Sequence, residues 1–246
     1  MGACSSILKQ IIVVAANEVA QQQEESKPTS QQPSKPSSQH HEEFQPSSQK
    51  VSSGDAVYSN LPANAEKVAV RNVYDGDTLT LQNEDRVRFV GIDTPEIKEN
   101  EPFAVEAKEY TKSRCNKGDL YLVQSGGRDK FDRILAYAYV QQDDGSFLCL
   151  NEGLVASGLA VAYSPSVSER PDNWDKLLSL QSRAREKGLG RWSQFKDRDV
   201  VKTANGSAYH SRSCEHLSSV RNLTEMKESE AIEKGLHPCR SCLTLG

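Results

Sequence analysis

Residues 67–96 read KVAVRNVYDGDTLTLQNEDRVRFVGIDTPE. Val68, Val70 and Val73 alternate with polar residues, the chain turns at Asp75-Gly76-Asp77, and alternation resumes from Thr78 to Leu81. An aspartate–glycine pair between alternating runs marks a hairpin. A third strand is expected from Arg86 to Ile92 and ends before Pro95, which has no N–H for a ladder. The same thirty residues concentrate carboxylates (Asp75, Asp77, Asp93, Glu96) and arginines (Arg86, Arg88) beside strand ends. Carboxylates next to arginines on a β scaffold suit a hard metal ion and a phosphate.

Outward from this stretch the pattern stays mixed. Pro102 is expected to open a helix reaching about Cys115, with Phe103, Ala107 and Tyr110 at helical spacing. A fourth strand follows at Leu120–Gln124. A fifth, Arg133–Val140 (RILAYAYV), is set to pair with Phe147–Leu150. A short helix is expected over Glu152–Ser157 and a longer one over Asn173–Lys187, ended by Gly188. Five twisted strands with helices between and after them give an α+β class and fit a small closed barrel of the oligonucleotide-binding (OB-fold) kind.

Charge and composition bound the rest. The 246 residues carry a net charge of −4 and are 36% hydrophobic. Residues 21–53 are Gln, Ser, Pro, Glu and Lys with almost no large apolar side chain, and cannot bury enough surface to offset their ordering entropy. Residues 1–63 are therefore read as a disordered tether. The longest apolar run, Ile11–Ala16, is far short of the roughly 20 residues of a spanning helix. Met1-Gly2-Ala3-Cys4-Ser5-Ser6 matches an N-myristoylation pattern at Gly2, with Cys4 placed for a second acyl chain. Two chains anchor stably where one does not. Gly2-Ala3-Cys4 also reads as the end of a bacterial lipoprotein signal. Either version implies a domain tethered at a membrane surface; the alternative is a secreted or cell-envelope protein.

The stretch from about Ala65 to Phe195 resembles the staphylococcal (thermonuclease-type) nuclease family. The matching pieces are YDGDTLTL, RVRFVGIDTPE, the helix after Pro102, DKFDRILAYAYV, NEGLVASGLAVAY, the Trp174 helix and Gly190-Arg191-Trp192. They follow the family's order and cover roughly half the chain. The resemblance implies a nuclease domain over 64–197, a five-stranded barrel, and calcium-dependent cleavage of DNA and RNA with little sequence specificity, leaving 3′-phosphates. It assigns Asp77, Asp93 and the carbonyl of Thr94 to calcium, with Asp75 nearby. It assigns Glu96 to the attacking water, and Arg88 and Arg133 to the phosphate. Lys130 and Tyr163 are the corresponding substrate contacts. Two departures stand out: Phe131 replaces a phosphate-binding tyrosine after Lys130, and Ser164-Pro165 follow Tyr163 where a second aromatic is usual. The chemistry agrees with these roles. Calcium takes oxygen ligands from loops, and the arginine fork offers two parallel hydrogen bonds to phosphate oxygens while keeping its charge. The competing class is a barrel that binds nucleic acid without cutting it. The nuclease stretch is close to neutral and lacks the basic stripe of a sequestering binder.

Residues 202–246 are set apart by their cysteines. Cys115 and Cys149 sit alone among apolar residues and read as buried thiols. His210-x3-Cys214 is followed, after 24 residues, by Cys239-x2-Cys242. Two thiolates from a CxxC turn and an upstream His–Cys pair would complete a tetrahedral zinc site of structural type. His216 or His237 could stand in for His210, a disulfide could form in an exported protein, or the CxxC could be a chance pair. The segment resembles the zinc-binding module related to the N-terminal part of the Ada DNA-repair protein. Zinc would help about 40 residues fold with few large apolar side chains. A helix is expected from about Leu223 to Lys234, and Arg212, Arg221 and Arg240 offer a few cations to nucleic acid. The protein is expected to be a monomer.

Overall fold

The computed structural model describes residues 56–243. They belong to one compact unit. Strand β1 (Val57–Tyr58) opens the described region. The strands β2 (Glu66–Val68) and β3 (Val70–Val73) are separated by Ala69 alone, and β4 (Thr78–Leu81), β5 (Arg86–Phe89) and β6 (Ile92–Asp93) follow. Helix α1 (Ala104–Cys115) leads to the long strands β7 (Leu120–Arg128) and β8 (Ile134–Gln141), then to β9 (Phe147–Cys149). Helix α2 (Leu150–Ala156), β10 (Val161–Ala162) and α3 (Trp174–Glu186) come next. The last part holds β11 (Asp199–Thr203), β12 (Ala208–His210), β13 (Leu223–Lys227), α4 (Glu228–Glu233) and β14 (His237–Pro238).

The barrel closes through the break at Ala69. β3 pairs with β4, β4 with β5, β5 in parallel with β8, β8 with β7, and β7 returns to β2. One bent strand thus belongs to both ends of the sheet, which leaves five strands and no free edge between them, an OB-like arrangement. Alternate residues point inward: Val73, Leu79, Val87, Phe89, Leu120, Leu122, Ala136, Ala138 and Val140 are all buried. Leu150 and Leu154 of α2 and Leu177 of α3 join the same core. Asn151 holds this junction from inside, accepting from the Ala138 N–H (2.9 Å) and donating to the Val90 carbonyl (2.9 Å).

Several expectations change. Residues 56–58, expected to belong to the tether, pack on the fold. Ala56 is 1% exposed, β1 pairs with β9, and the Tyr58 hydroxyl donates to buried Glu152 at 2.7 Å. The strand expected over Arg86–Ile92 is broken at Gly91, which sits at φ +80° and has no room for a Cβ, because Pro171 and Leu177 pack against it. The break sends Ile92–Asp93 away from the barrel to pair with β10. β7 runs past Gln124 to Arg128 through an irregularity. The short helix begins at Leu150, not Glu152. The helix expected over Leu223–Lys234 is half strand: Leu223–Lys227 pair along the whole of β11, and only Glu228–Glu233 coil. Cross-strand pairing outweighs local helix propensity there.

The C-terminal strands form their own sheet, in the order β13-β11-β12-β14. Val200, Tyr209, Met226 and Ile232 pack with Val161, Ala184 and Trp192, while Val201, Cys214, Leu217 and Cys239 form a cluster of their own. Among the described residues no helix is long and apolar enough to cross a membrane. Gly2 and Cys4 lie outside the described residues.

Candidate active site

The DGDT turn and the DTPE segment meet at the mouth of the barrel. Gly76 lies so close to Thr94 and Ala107 that a Cβ would stand 2.7 Å from Thr94 Cγ2 and 2.8 Å from Ala107 Cβ. This contact presses the hairpin turn against α1 and the DTP turn together, and the Thr111 hydroxyl of α1 donates to the Gly76 carbonyl at 2.6 Å. The result is a fixed placement of Asp77. Its carboxylate is buried and accepts from the Thr94 N–H (2.7 Å) and the Thr78 hydroxyl (3.1 Å).

Arg88 ties the two turns electrostatically. Its side chain is 12% exposed, pairs with Asp77 through Nη1, and donates from Nη2 to Asp93 Oδ1 at 2.8 Å. Burial opposes the charge of Arg88, but Asp77, Asp93 and Asp75 outweigh it and raise its pKa. Asp75 is buried beside them, and burial together with the charge of Asp77 pushes its carboxyl up to about 7. The cluster is therefore richer in negative charge than its arginine can balance.

Glu96 stands at the rim, with 31% of its side chain exposed. Its backbone N–H donates to the Glu101 carboxylate at 2.7 Å. Arg133 precedes β8. Because Arg88 pairs with Leu135 across the parallel β5–β8 ladder, Arg133 lies on the same outer face as Arg88, two residues along. Its guanidinium is held by Asp129, with Nε donating at 2.8 Å. Lys130 and Phe131 form the exposed tip of that turn. Both the Lys130 ammonium (5.0 Å) and the Arg133 guanidinium (5.3 Å) lie near the Phe131 ring, which is 63% exposed. The residue that replaces a tyrosine hydroxyl thus presents an open aromatic face. Tyr163 is half-buried, its ring 4.9 Å from that of His237.

The oxygen donors fit calcium by type: one buried and one partly buried carboxylate beside turns, with excess negative charge. In this arrangement they do not converge on one point, since Asp77 and Asp93 each sit on a guanidinium. Among the described residues only His210, Cys214, Cys239 and Cys242 bring three or more ligand atoms together, all within 4.8 Å of one another. His210 Nδ1 is 3.3 Å from Cys214 Sγ, and Cys214 Sγ is 4.0 Å from Cys239 Sγ. Sulfurs on a tetrahedral zinc lie about 3.8 Å apart for bonds of ~2.3 Å, so this donor set fits zinc. The Ser211 N–H donates to Cys242 Sγ at 3.4 Å, a contact suited to a thiolate. All five cysteines among the described residues are free of disulfides. His216 and His237 are turned elsewhere, to Ser241 (2.9 Å) and Ser207 (3.3 Å). Cys115 and Cys149 take no part; burial pushes the Cys115 thiol up to about 11 and raises that of Cys149 as well.

One site residue has no signal in the sequence spacing. Arg240, expected among the surface cations of the C-terminal segment, reaches Asp93 at 2.5 Å and Glu96 at 3.1 Å.

The sequence profile of the family described as "Staphylococcal nuclease homologue" matches residues 86–194. The chain is 32% identical over 136 residues to the SPbeta prophage-derived endonuclease YokF of Bacillus subtilis, a match covering 52% of this chain and 44% of the relative. It is 31% identical over 136 residues to endonuclease YncB of the same organism, covering 52% and 62%. It is 30% identical over 147 residues to the thermonuclease of Staphylococcus intermedius, covering 55% and 82%. The chain thus spans about half the length of the two Bacillus relatives.

Proposed function

The chain belongs to the staphylococcal nuclease homologue family, and on that premise we propose that it is a calcium-dependent nuclease that hydrolyses phosphodiester bonds in DNA and RNA. The observation that carries this reading is the bridge made by one buried guanidinium: Arg88 links Asp77 and Asp93 beside Glu96 at one end of the barrel. Asp77, Asp93 and the Thr94 carbonyl would hold the calcium. When bound, calcium neutralises charge that builds on the phosphate and lowers the cost of supplying a nucleophile from water.

The remaining work belongs to the chain. Glu96 is half-buried at the rim, where it can take a proton from the attacking water. Arg88 donates to the phosphate oxygens from a site whose surrounding carboxylates keep it charged. Arg133, on the same face, adds a second fork, which stabilises charge only as it develops. Lys130 and the exposed Phe131 ring offer a cation and a stacking surface to the neighbouring nucleotide, and Tyr163 offers a second ring. The His210, Cys214, Cys239 and Cys242 cluster holds a structural zinc, since all four positions are filled by protein. The nuclease acts as a monomer, and Gly2 and Cys4 tether it to a membrane surface through lipid.

The deciding experiment is cleavage of DNA and of RNA with calcium, with a chelator, and with Glu96→Gln. Calcium-dependent cleavage that falls by at least about 10²-fold in Glu96→Gln, with binding retained, is the expected result. Binding that persists in the wild type with no calcium-dependent cleavage overturns the assignment and makes the barrel a nucleic-acid binder.

A further inference from the structure

The Cys239–Cys242 turn carries an arginine into the nuclease carboxylates. Arg240 follows Cys239, yet its Nη2 lies 2.5 Å from Asp93 Oδ1 and 2.6 Å from Oδ2, and its Nη1 lies 3.1 Å from Glu96 Oε1. The placement is anchored from behind. The Cys239 N–H donates to the Tyr209 carbonyl of β12 at 2.9 Å, and the Leu243 N–H closes the turn on the Cys239 carbonyl at 2.9 Å. The turn that supplies two thiolates to the His–Cys cluster is therefore held in the register that points Arg240 at Asp93.

Both oxygens of Asp93 are occupied in this arrangement. Oδ1 accepts from Arg88 and Arg240, and Oδ2 from Arg240. A carboxylate saturated by charge-assisted hydrogen bonds has few lone pairs left for an ion. A guanidinium and a dication compete for the same electrons. Glu96 is engaged by the same fork, which occupies its Oε1. The two arginines differ in their freedom to leave. The Arg88 side chain is 12% exposed and that of Arg240 is 47% exposed. Only Arg240 can swing into solvent without leaving a charge stranded in the interior.

We propose that Arg240 is an inhibitory latch: a cation supplied by the His–Cys segment that holds Asp93 and Glu96 until calcium displaces it. The latch rests on the reading of Asp93 and Glu96 as the calcium and water carboxylates. It sets the calcium concentration at which the site opens, and it links the fold of the C-terminal segment to the barrel's chemistry.

The test is a calorimetric titration of calcium alone into the full chain, previously stripped of calcium, beside DNA cleavage measured against calcium concentration. Three proteins are compared: wild type, Arg240→Gln, and Lys227→Gln, which removes an exposed cation of the same segment. A half-exposed ion pair is worth at most about a fivefold change in a binding constant. Arg240→Gln is expected to bind calcium about three- to fivefold more tightly and to reach half-maximal cleavage at correspondingly lower calcium, while Lys227→Gln binds calcium as the wild type does. Unchanged calcium affinity in Arg240→Gln, with thermal melting showing an intact fold, overturns the latch. So does equal tightening in Lys227→Gln, which would reduce the effect to overall charge. So does a lower maximal rate at unchanged calcium affinity, which would make Arg240 a phosphate ligand instead. In these three cases wild-type cleavage survives and only the latch fails. A wild type that neither binds calcium nor cuts removes the nuclease reading, and the latch with it.

Discussion

Gly76→Ala tests the claim that close packing, not the acidic residues alone, places Asp77. The new Cβ would meet Thr94 Cγ2 at 2.7 Å and Ala107 Cβ at 2.8 Å. Carbon atoms settle at about 3.5–4.0 Å, so both neighbours are overlapped by close to an ångström. Neither is the far end of a flexible chain. Ala107 is fixed on α1, and Thr94 is buried. Overpacking of this kind costs about 1–3 kcal/mol. If Thr94 yields, its N–H leaves the Asp77 carboxylate, which it meets at 2.7 Å, and a hydrogen bond to a charged group adds about 1.5–3 kcal/mol. A total of about 2.5–6 kcal/mol follows. For a domain of this size each kcal/mol moves the melting point by roughly 2–4 °C, so a fall of about 5–24 °C is expected. Thermal melting followed by circular dichroism measures it. A double-mutant cycle with Ala107→Gly isolates the contact, because that change removes one of the two overlapped atoms. The pair should be less destabilised than the sum of the singles by about 1 kcal/mol. A Gly76→Ala protein that melts within 2 °C of the wild type, or strictly additive singles, refutes the reasoning.

Two further predictions concern the framework and the His–Cys cluster. Glu152 is 1% exposed and accepts from the Tyr58 hydroxyl, Asn173 Nδ2 (3.0 Å) and Lys176 Nζ (2.7 Å). Glu152→Ala strands those donors and is expected to cost about 3 kcal/mol in urea denaturation; a loss under 1 kcal/mol would show that water replaces the carboxylate. Metal analysis is expected to give one zinc per chain, lost in His210→Ala and in Cys239→Ser but kept in His237→Ala. Retention of zinc in His210→Ala would move the fourth ligand elsewhere.

The barrel was legible because its signals are local. Val68, Val70 and Val73 alternate, Asp75-Gly76-Asp77 turns, and RILAYAYV has the period of a strand with one buried face. The candidate site was proposed only through motif order, since alternation puts Arg86 and Arg88 on one face and cannot choose between them. What stayed hidden depends on distant partners. LTEMK (Leu223–Lys227) reads as helix until β11 is laid beside it. Val57–Tyr58 sits at the end of a Ser- and Gln-rich stretch, and its order comes from β9 and from Glu152, far along the chain. Arg240 is the clearest case. A CxxC spacing states that two thiolates share a turn and says nothing of what that turn faces. The facing is set by β12 and β14, whose parallel pairing places Tyr209 beside Pro238.

The charges of the site explain why it would contain two arginines with different exposures. Asp75, Asp77, Asp93 and Glu96 face Arg88 and Arg240, so with all four ionised the two guanidiniums offset only half of them. The shortfall is felt most by the buried Asp75, whose carboxyl is pushed up to about 7 by burial and by Asp77. A buried arginine cannot be the exchangeable cation, because its departure would leave Asp77 uncompensated in the interior at a cost of about 3–5 kcal/mol. Arg88 is therefore a permanent part of the centre, paired with Asp77. Arg240 pairs with the more exposed Asp93 and Glu96, where water can replace it. In the proposed exchange a dication replaces one guanidinium, which adds one positive charge to the cluster. On the proposed reading the carboxylates are held in the absence of metal and remain open to it, because the cation that guards them comes from the rim.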